Sequence, residues 1–280
     1  MRYVLYNPFS GKGEQAKADA ECYNALANIP TKTVSIAEIK DLRAFLSQLN
    51  ASDDIAVFGG DGTLNVVVNA LPTGWENNVY YYPCGTGNDF ARDIDIAYTK
   101  EPIQINGYIQ NLPTVTVNGE QRKFINGVGF GIDGYCCEVG DQLKSQGKLP
   151  DYTGIAIKGL LFHFKPVNAT VVVDGEKYEF KKVWIAPTMF GRYYGGGMMP
   201  TPEQDRNAAE KMVSLMVFHG SGKMQTLMIF PSIFKGEHVK HKENITILKG
   251  KNITVTFDRA TSLQIDGETR LNVSSYTVSI

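Results

Sequence analysis

The residues best suited to chemistry lie in two glycine-rich segments, Gly59-Gly60-Asp61-Gly62-Thr63 and Gly85-Thr86-Gly87-Asn88-Asp89. The first follows the apolar run Ile55-Ala-Val-Phe58 and precedes Leu64-Asn65-Val-Val-Val-Asn69, which suits a helix. A strand that passes through a glycine turn into a helix N-terminus presents backbone N–H groups and the positive end of a helix dipole, so it predicts a phosphate site. A plain strand-to-helix turn would need a glycine or two, but has no use for an aspartate set among three of them. The segment is not a Walker A loop, since no Gly-Lys-Ser/Thr follows, and it lacks the Gly-x-Gly-x-x-Gly dinucleotide fingerprint. The second segment also follows an apolar strand, Val79 to Tyr82, and also sets a carboxylate beside a glycine turn. If the two strands are neighbours in a parallel sheet, both loops meet at the carboxyl edge, where α/β folds bind ligands. Asp61 and Asp89 could then share a magnesium ion, which prefers carboxylate, phosphate and water oxygens. Near the start, Asn7-Pro-Phe-Ser10-Gly11-Lys12-Gly13 closes the first strand in a third polar turn. Ser10 and Gly11 are candidates to touch a nucleotide, while Lys12 could face phosphate or solvent.

These loops need a frame. Up to about Tyr98 the pattern alternates: strands at Tyr3 to Tyr6, Thr31 to Ser35, Ile55 to Phe58 and Val79 to Tyr82, and helices at Gly13 to Asn28, Ile39 to Leu49 and Thr63 to Ala70. Such alternation predicts a parallel sheet covered by helices, and short continuous apolar strands agree with burial on both faces. From about Ile103 the chain turns to period-two alternation punctuated by Asn118-Gly119, Asp174-Gly175 and Asp266-Gly267, each a hairpin signal. The expected fold class is therefore an N-terminal α/β nucleotide-binding domain over residues 1–100, followed by a β-rich sandwich over 101–280. Helical interludes near Tyr135 to Ser145 and Thr153 to His163 interrupt the second part.

Composition excludes several classes. The chain has 280 residues, 43% hydrophobic and 20% charged, and no apolar run of the roughly 18–20 residues that a membrane span needs. Its net charge of -1 gives no global field for nucleic acid, so any contact with a lipid surface must be local. Cys22, Cys84, Cys136 and Cys137 form no Cys-x-x-Cys pair and are too few for a disulfide scaffold. Met1 to Tyr6 lack the pattern of a signal peptide, which reads as a cytoplasmic protein. The glycosylation-like triplets at Asn168, Asn244, Asn252 and Asn272 carry no meaning without export.

Six ordered motifs make the chain similar to the diacylglycerol kinase catalytic family, which includes bacterial lipid kinases and sphingosine kinases. They are Asn7-Pro-x-Ser10-Gly11, Gly59-Gly-Asp-Gly-Thr63 with Asn65, Pro83-x-Gly-Thr-Gly-Asn-Asp-Phe-Ala-Arg92, Asn126-Gly-Val-Gly-Phe-Gly-Ile-Asp133, Gly195-Gly-Gly197 and Asp266-Gly-Glu268. The resemblance implies transfer of the ATP γ-phosphoryl group to a lipid hydroxyl, in a cleft between an α/β domain and a β-sandwich. It implies ATP contacts from Asn7, Ser10, Gly11, Gly59, Gly60, Gly62, Thr63, Asn65, Gly85, Thr86 and Asn88. It also implies Asp61 and Asp89 as magnesium-associated groups, and Glu268 as general base with Asp266 beside it. Phosphoryl transfer asks mainly for positioning, metal charge and a proton acceptor, so the chemistry is consistent. By spacing, the family's nucleotide-contacting threonine corresponds to Ser35, which keeps a hydroxyl. Where the family often holds a structural magnesium ion, this chain reads Pro202-Glu-Gln-Asp205-Arg-Asn-Ala-Ala-Glu210, with only Asp205 near the start, so that second metal is not expected.

Two alternatives stand beside the lipid kinase. An NAD kinase relative would share the Gly-Gly-Asp-Gly-Thr loop and the two-domain plan; a nucleotide-binding regulator would keep the fold without turnover. The run Phe190 to Met199 suits either core packing or a lipid tail, since its glycines allow close backbone approach. His163, His219, His238 and His241 form no ligand cluster, and Lys235 to Glu243 reads as a solvated segment. A peripheral membrane contact and a homodimer through an exposed strand pair complete the expected partners.

Overall fold

Alternation of strand and helix in the first part produces the sheet expected of it. The computed structural model describes residues 1–9 and 15–280, and its contacts divide into two units, Met1–Asn111 and Leu112–Ile280. The first unit runs β1 (Arg2–Tyr6), α1 (Gln15–Leu26), β2 (Thr31–Ser35), α2 (Leu42–Ser47), β3 (Asp54–Gly59), α3 (Asp61–Ala70), β4 (Val79–Pro83), α4 (Asp89–Asp93), β5 (Ile103–Gln104) and α5 (Asn106–Ile109). The strands lie in the order β2-β1-β3-β4-β5, parallel except for the last pair. Ile55, Ala56 and Val57 of β3 are wholly buried, which is why that strand reads as an unbroken apolar run. On α3, Leu64, Val67 and Val68 recur at the helical spacing and are buried. Helix α1 packs Ala20 against Ala56 and Phe58.

Two local departures have clear causes. Helix α2 starts later than the 39–49 span suggests because Asp41 caps it, accepting from the Ala44 N–H at 2.9 Å, after a single 3-10 turn over Ile36–Glu38. The short β5 pairs antiparallel with β4, which carries the first unit past the division at residue 100 read from the pattern.

The second unit contains β6 (Thr114–Val117), β7 (Glu120–Lys123), β8 (Gly127–Gly131), α6 (Ile132–Ser145), α7 (Tyr152–Lys158), β9 (Val167–Val173), β10 (Glu176–Val183), β11 (Ile185–Met189), β12 (Val213–Phe218), α8 (Lys223–Ile229), β13 (Ile245–Gly250), β14 (Asn252–Ile265) and β15 (Glu268–Ser279). Its strands form one antiparallel sheet of ten strands among the described residues. All three hairpin signals are realised: Asn118 and Gly119, Asp174 and Gly175, and Asp266 and Gly267 each have positive φ at both central positions, as a type I′ turn requires. The long strand β14 changes neighbour along its length. Ile253 to Phe257 pair with β9 and Leu263 to Ile265 pair with β8, with register shifts between. There α6 lies close: a Cβ on Gly134 would fall 1.8 Å from the Ser262 carbonyl oxygen.

Helix α7 continues into a π-helical turn over Gly159–His163, matching the second helical interlude. The reading of Lys235 to Glu243 as solvated is corrected at two residues, Gly236 and His238, which are buried. His238 is 0% exposed and its Nε2 lies 2.8 Å from the Pro200 carbonyl oxygen, because the imidazole closes over the Pro200 loop.

Candidate active site

In the first unit the residues of interest stand at the carboxyl edge of the parallel sheet. β1 leads one way to β2 and β3 the other way to β4, so the edge beyond β1 and β3 is a topological switch point, the usual ligand crevice of such sheets. Four candidates stand there. Asn7 follows β1, Ser35 ends β2 opposite Tyr6, and the two glycine loops follow β3 and β4. Gly59 pairs with Pro83 in register, and the Cys84 N–H donates to the Gly59 carbonyl at 3.0 Å. The loops touch through backbone: a Cβ on Gly85 would sit 2.5 Å from the Gly60 Cα. Only a residue without a side chain fits this approach.

Asp61 fastens the two loops. It opens α3, and its carboxylate accepts from the backbone N–H of Asp89 (Oδ2, 2.9 Å) and of Phe90 (Oδ1, 2.9 Å), the first residues of α4. A negative charge at a helix N-terminus is favourable, and here one carboxylate from α3 serves the start of α4. Asp89 is 4% exposed, with Arg92 Nη1 at 3.8 Å from its Oδ1, so Asp61 is the more accessible carboxylate of the pair. Beneath them lies Tyr81, wholly buried against Phe90 with ring centroids 5.7 Å apart. Burial first, and then the charge of Asp61 and Asp89, pushes its phenol well above the ordinary value.

Several sequence candidates serve as braces. The Asn7 side-chain amide donates to Thr63 Oγ1 at 3.2 Å, and its carbonyl accepts from the Phe9 N–H at 3.0 Å, which ties the β1 turn to α3. Asn88 adopts a left-handed conformation (φ 50°) while its Oδ1 accepts from the Gly85 N–H at 2.9 Å, closing the second loop on itself. Asn65 is 1% exposed and accepts from Asn69 Nδ2. Gly62, in the first turn of α3, and Thr86, in the second loop, are exposed. Ser10 and Gly11 lie outside the described residues.

The second unit gathers a separate constellation around β8. Asp266, at the β14–β15 turn, accepts from three backbone N–H groups: Ile125 at 2.6 Å, Asn126 at 2.8 Å and Gly127 at 3.0 Å. It therefore holds the entry to β8 in place. Two residues on, Glu268 meets Arg122 of β7 in a bidentate fork of 2.6 and 2.7 Å, and its side chain remains 39% exposed. A carboxylate has about four lone-pair sites, so the fork leaves acceptor capacity on Glu268. The structure thus separates the two acids by their partners, Asp266 bound to three backbone amides and Glu268 paired with Arg122.

Asp133, the last residue of the Asn126-Gly-Val-Gly-Phe-Gly-Ile-Asp133 motif, has no role assigned from sequence. It opens α6, is 6% exposed, and accepts from the Tyr194 hydroxyl at 2.7 Å, while its Oδ2 has no hydrogen-bond partner among the described residues. Burial pushes this carboxyl up to about 7, with the Tyr194 hydrogen bond opposing. The alternate glycines of the motif allow it: a Cβ on Gly129 would fall 2.3 Å from Asp133 Oδ2. Tyr194 is itself fixed by reciprocal backbone bonds with Met198, across Gly195, Gly196 and Gly197, all at positive φ. The Phe190 to Met199 run is therefore a tight turn that presents a buried tyrosine to a buried acid. A carboxyl set in the first helical turn beside a tyrosine was the available signal.

Comparison with known proteins follows the same division. Residues 2–118 match the diacylglycerol kinase catalytic domain, and residues 126–278 match the YegS C-terminal NAD kinase beta sandwich-like domain. A protein of Mycobacterium tuberculosis named diacylglycerol kinase is 28% identical over 270 residues, which cover 90% of this chain and 84% of that protein. One of the same name from Bacillus subtilis is 27% identical over 279 residues, covering 95% and 88%. The fold is shared with the crystal structure of a diacylglycerol kinase from Bacillus anthracis, at a TM-score of 0.62 and 19% identity, over 99% of this chain and 92% of that one.

Proposed function

Since the chain belongs to the diacylglycerol kinase catalytic family, a family of lipid kinases, we propose that it transfers the γ-phosphoryl group of ATP to the hydroxyl of diacylglycerol or a similar lipid alcohol. The observation that carries the reading is the clasp of Asp61 across two glycine loops at the switch point of the parallel sheet. A phosphate chain suits such a cradle, because Gly60 and Gly85 let backbone approach closely and α3 begins beside them at Asp61. Gly59, Gly60, Gly62 and Thr63 on one loop, with Gly85, Thr86 and Asn88 on the other, take the phosphates in this reading. Asn7, Ser35 and Asn65 shape the nucleotide side, with Ser10 and Gly11.

Magnesium suits the accessible oxygens of Asp61, with Asp89 closing the site behind it; when bound, it would neutralise charge on the phosphates. In the chemical step the lipid oxygen bonds to the γ-phosphorus, the bridge to the β-phosphate breaks, and ADP departs. Glu268 takes the hydroxyl proton on an oxygen that Arg122 holds in position. Asp266 acts at one remove, by fixing the turn that carries Glu268. Glu268 is a suitable acceptor because it combines exposure with a fixed orientation.

The acceptor is decided by incubating the chain with γ-labelled ATP, magnesium and a panel of lipid alcohols, with NAD as a further acceptor. Label on a lipid supports the proposal. Label on NAD alone would favour the NAD kinase reading, and nucleotide binding without transfer would favour the regulator.

A further inference from the structure

Among the described residues the connection from β11 to β12, residues 190–212, forms no helix or strand, so its inward polar groups must be held by other means. Its later part alternates: Gln204 and Arg206 are each 3% exposed, while Glu203, Asp205 and Asn207 are exposed. This is the stretch where the family resemblance implies a structural magnesium ion, and its acids are turned away. Asp205 accepts from the Asn207 N–H at 2.8 Å in a local turn, and Glu210 pairs with Lys251 Nζ at 2.8 Å. Among the described residues no three His, Cys, Asp or Glu side chains come together as a metal site.

Magnesium gathers roughly six oxygens, but the oxygens of this loop accept from nitrogen. Gln204 Nε2 donates to the Phe190 carbonyl at 3.2 Å and the Met212 carbonyl at 2.9 Å, and its Oε1 accepts from the Ser214 hydroxyl at 2.6 Å. Lys211 Nζ donates to the Arg206 carbonyl at 2.5 Å. Arg206 Nη2 donates to Asn126 Oδ1 at 3.3 Å, with its guanidinium carbon 5.5 Å from the centre of the Phe190 ring. Two of the three donors are cations, which oppose a metal ion beside them. The residues therefore do not fit magnesium; cations belonging to the chain stand in its stead. Asn126 carries the effect further. It is 3% exposed, its carbonyl accepts from the N–H groups of Phe190 (2.9 Å) and Gly191 (3.3 Å), and its own N–H donates to Asp266 Oδ1 at 2.8 Å. One residue thus joins the loop to the turn that carries Glu268, and a buried charge-assisted bond from Arg206 holds its side chain.

We propose that Arg206 is a positioning residue: its guanidinium, in the stead of a resident metal ion, locks Asn126 against Asp266 and so sets the orientation of Glu268. The last step rests on the reading of Glu268 as general base; the metal-free lock does not. Thermal melts of the full chain without nucleotide should superimpose in magnesium and in excess EDTA. Hydrogen exchange read by mass spectrometry should show the amides of Ile125, Asn126 and Gly127 losing protection about tenfold or more in Arg206→Met, with no recovery in added magnesium or calcium. Arg206→Lys keeps the charge and loses the planar fork, so its loss should be smaller, about threefold; it carries the same test if Arg206→Met does not fold. In the kinase assay Arg206→Met should lower kcat about tenfold with KM for ATP unchanged, since the glycine loops proposed for ATP lie in the first unit, and Arg206→Lys should regain part of kcat. A melt lowered by EDTA in both the parent and Asp61→Asn, unchanged protection of residues 125–127, recovery in magnesium, or a raised KM for ATP with kcat unchanged would each overturn the proposal. Lost protection in Arg206→Met beside a parent that labels no lipid would uphold the lock while sinking the kinase reading.

Discussion

Asp61 joins position and charge in one carboxylate, so its replacement tests both. Asp61→Asn leaves one backbone N–H at the start of α4 facing an amide NH₂ instead of an oxygen, which costs about 1–3 kcal/mol. It also removes charge from the proposed phosphate cradle. We expect turnover to fall by orders of magnitude with the chain still folded, as read from kinetics and a melting curve; near-normal activity would contradict the metal role. Glu268→Gln should likewise abolish turnover, with ATP affinity retained. Asp133 gives a separate, pH-dependent signal. Below about pH 4 the carboxyl is protonated in both states and costs nothing. As the pH rises toward 7 the unfolded chain gives up this proton and the folded chain keeps it, so stability falls across that window and levels above it. The ceiling on the loss is roughly 4 kcal/mol. Asp133→Asn should flatten the slope, measured by denaturant unfolding at about pH 5 and about pH 8. Parallel slopes in the two proteins would refute the burial of that acid.

At the scale of elements, the two glycine loops can be tested by one added methyl group at a time. In Gly85→Ala the new Cβ meets the Gly60 Cα at 2.5 Å, backbone against backbone, so the loops must part, at a cost of about 1–3 kcal/mol and with weaker ATP binding. Gly62→Ala meets nothing within 4 Å and has no positive φ, so the fold should tolerate it. A tenfold or greater loss of ATP affinity in that variant, read by calorimetry, would follow if phosphate approaches Gly62, on the order of 1.4 kcal/mol; unchanged affinity would place the phosphates elsewhere. Elements of this kind were legible in sequence where the cause is local. The three Asn-Gly and Asp-Gly hairpins, the strands of the parallel sheet and the loops between strand and helix all follow from neighbours a few positions apart. What stayed hidden was pairing at a distance. Nothing near Asp61 in sequence shows that it caps α4, 28 residues on. Nothing near Glu268 announces Arg122, 146 residues before it. The three amides on Asp266 also come from 139 to 141 residues away. Residue types marked these acids as important, but only the folded sheet shows which partners hold each.

For the molecule as a whole, the first unit holds the two glycine loops joined by Asp61, and the second carries Glu268 paired with Arg122. Among the described residues no helix is long and apolar enough to cross a membrane. The most direct test of the central claim is the transfer of label from γ-labelled ATP to diacylglycerol in mixed micelles with magnesium, run side by side on the parent chain and Asp61→Asn. The account predicts labelled phosphatidic acid from the parent and almost none from the variant; no labelled lipid from the parent, or equal labelling from both, would contradict it.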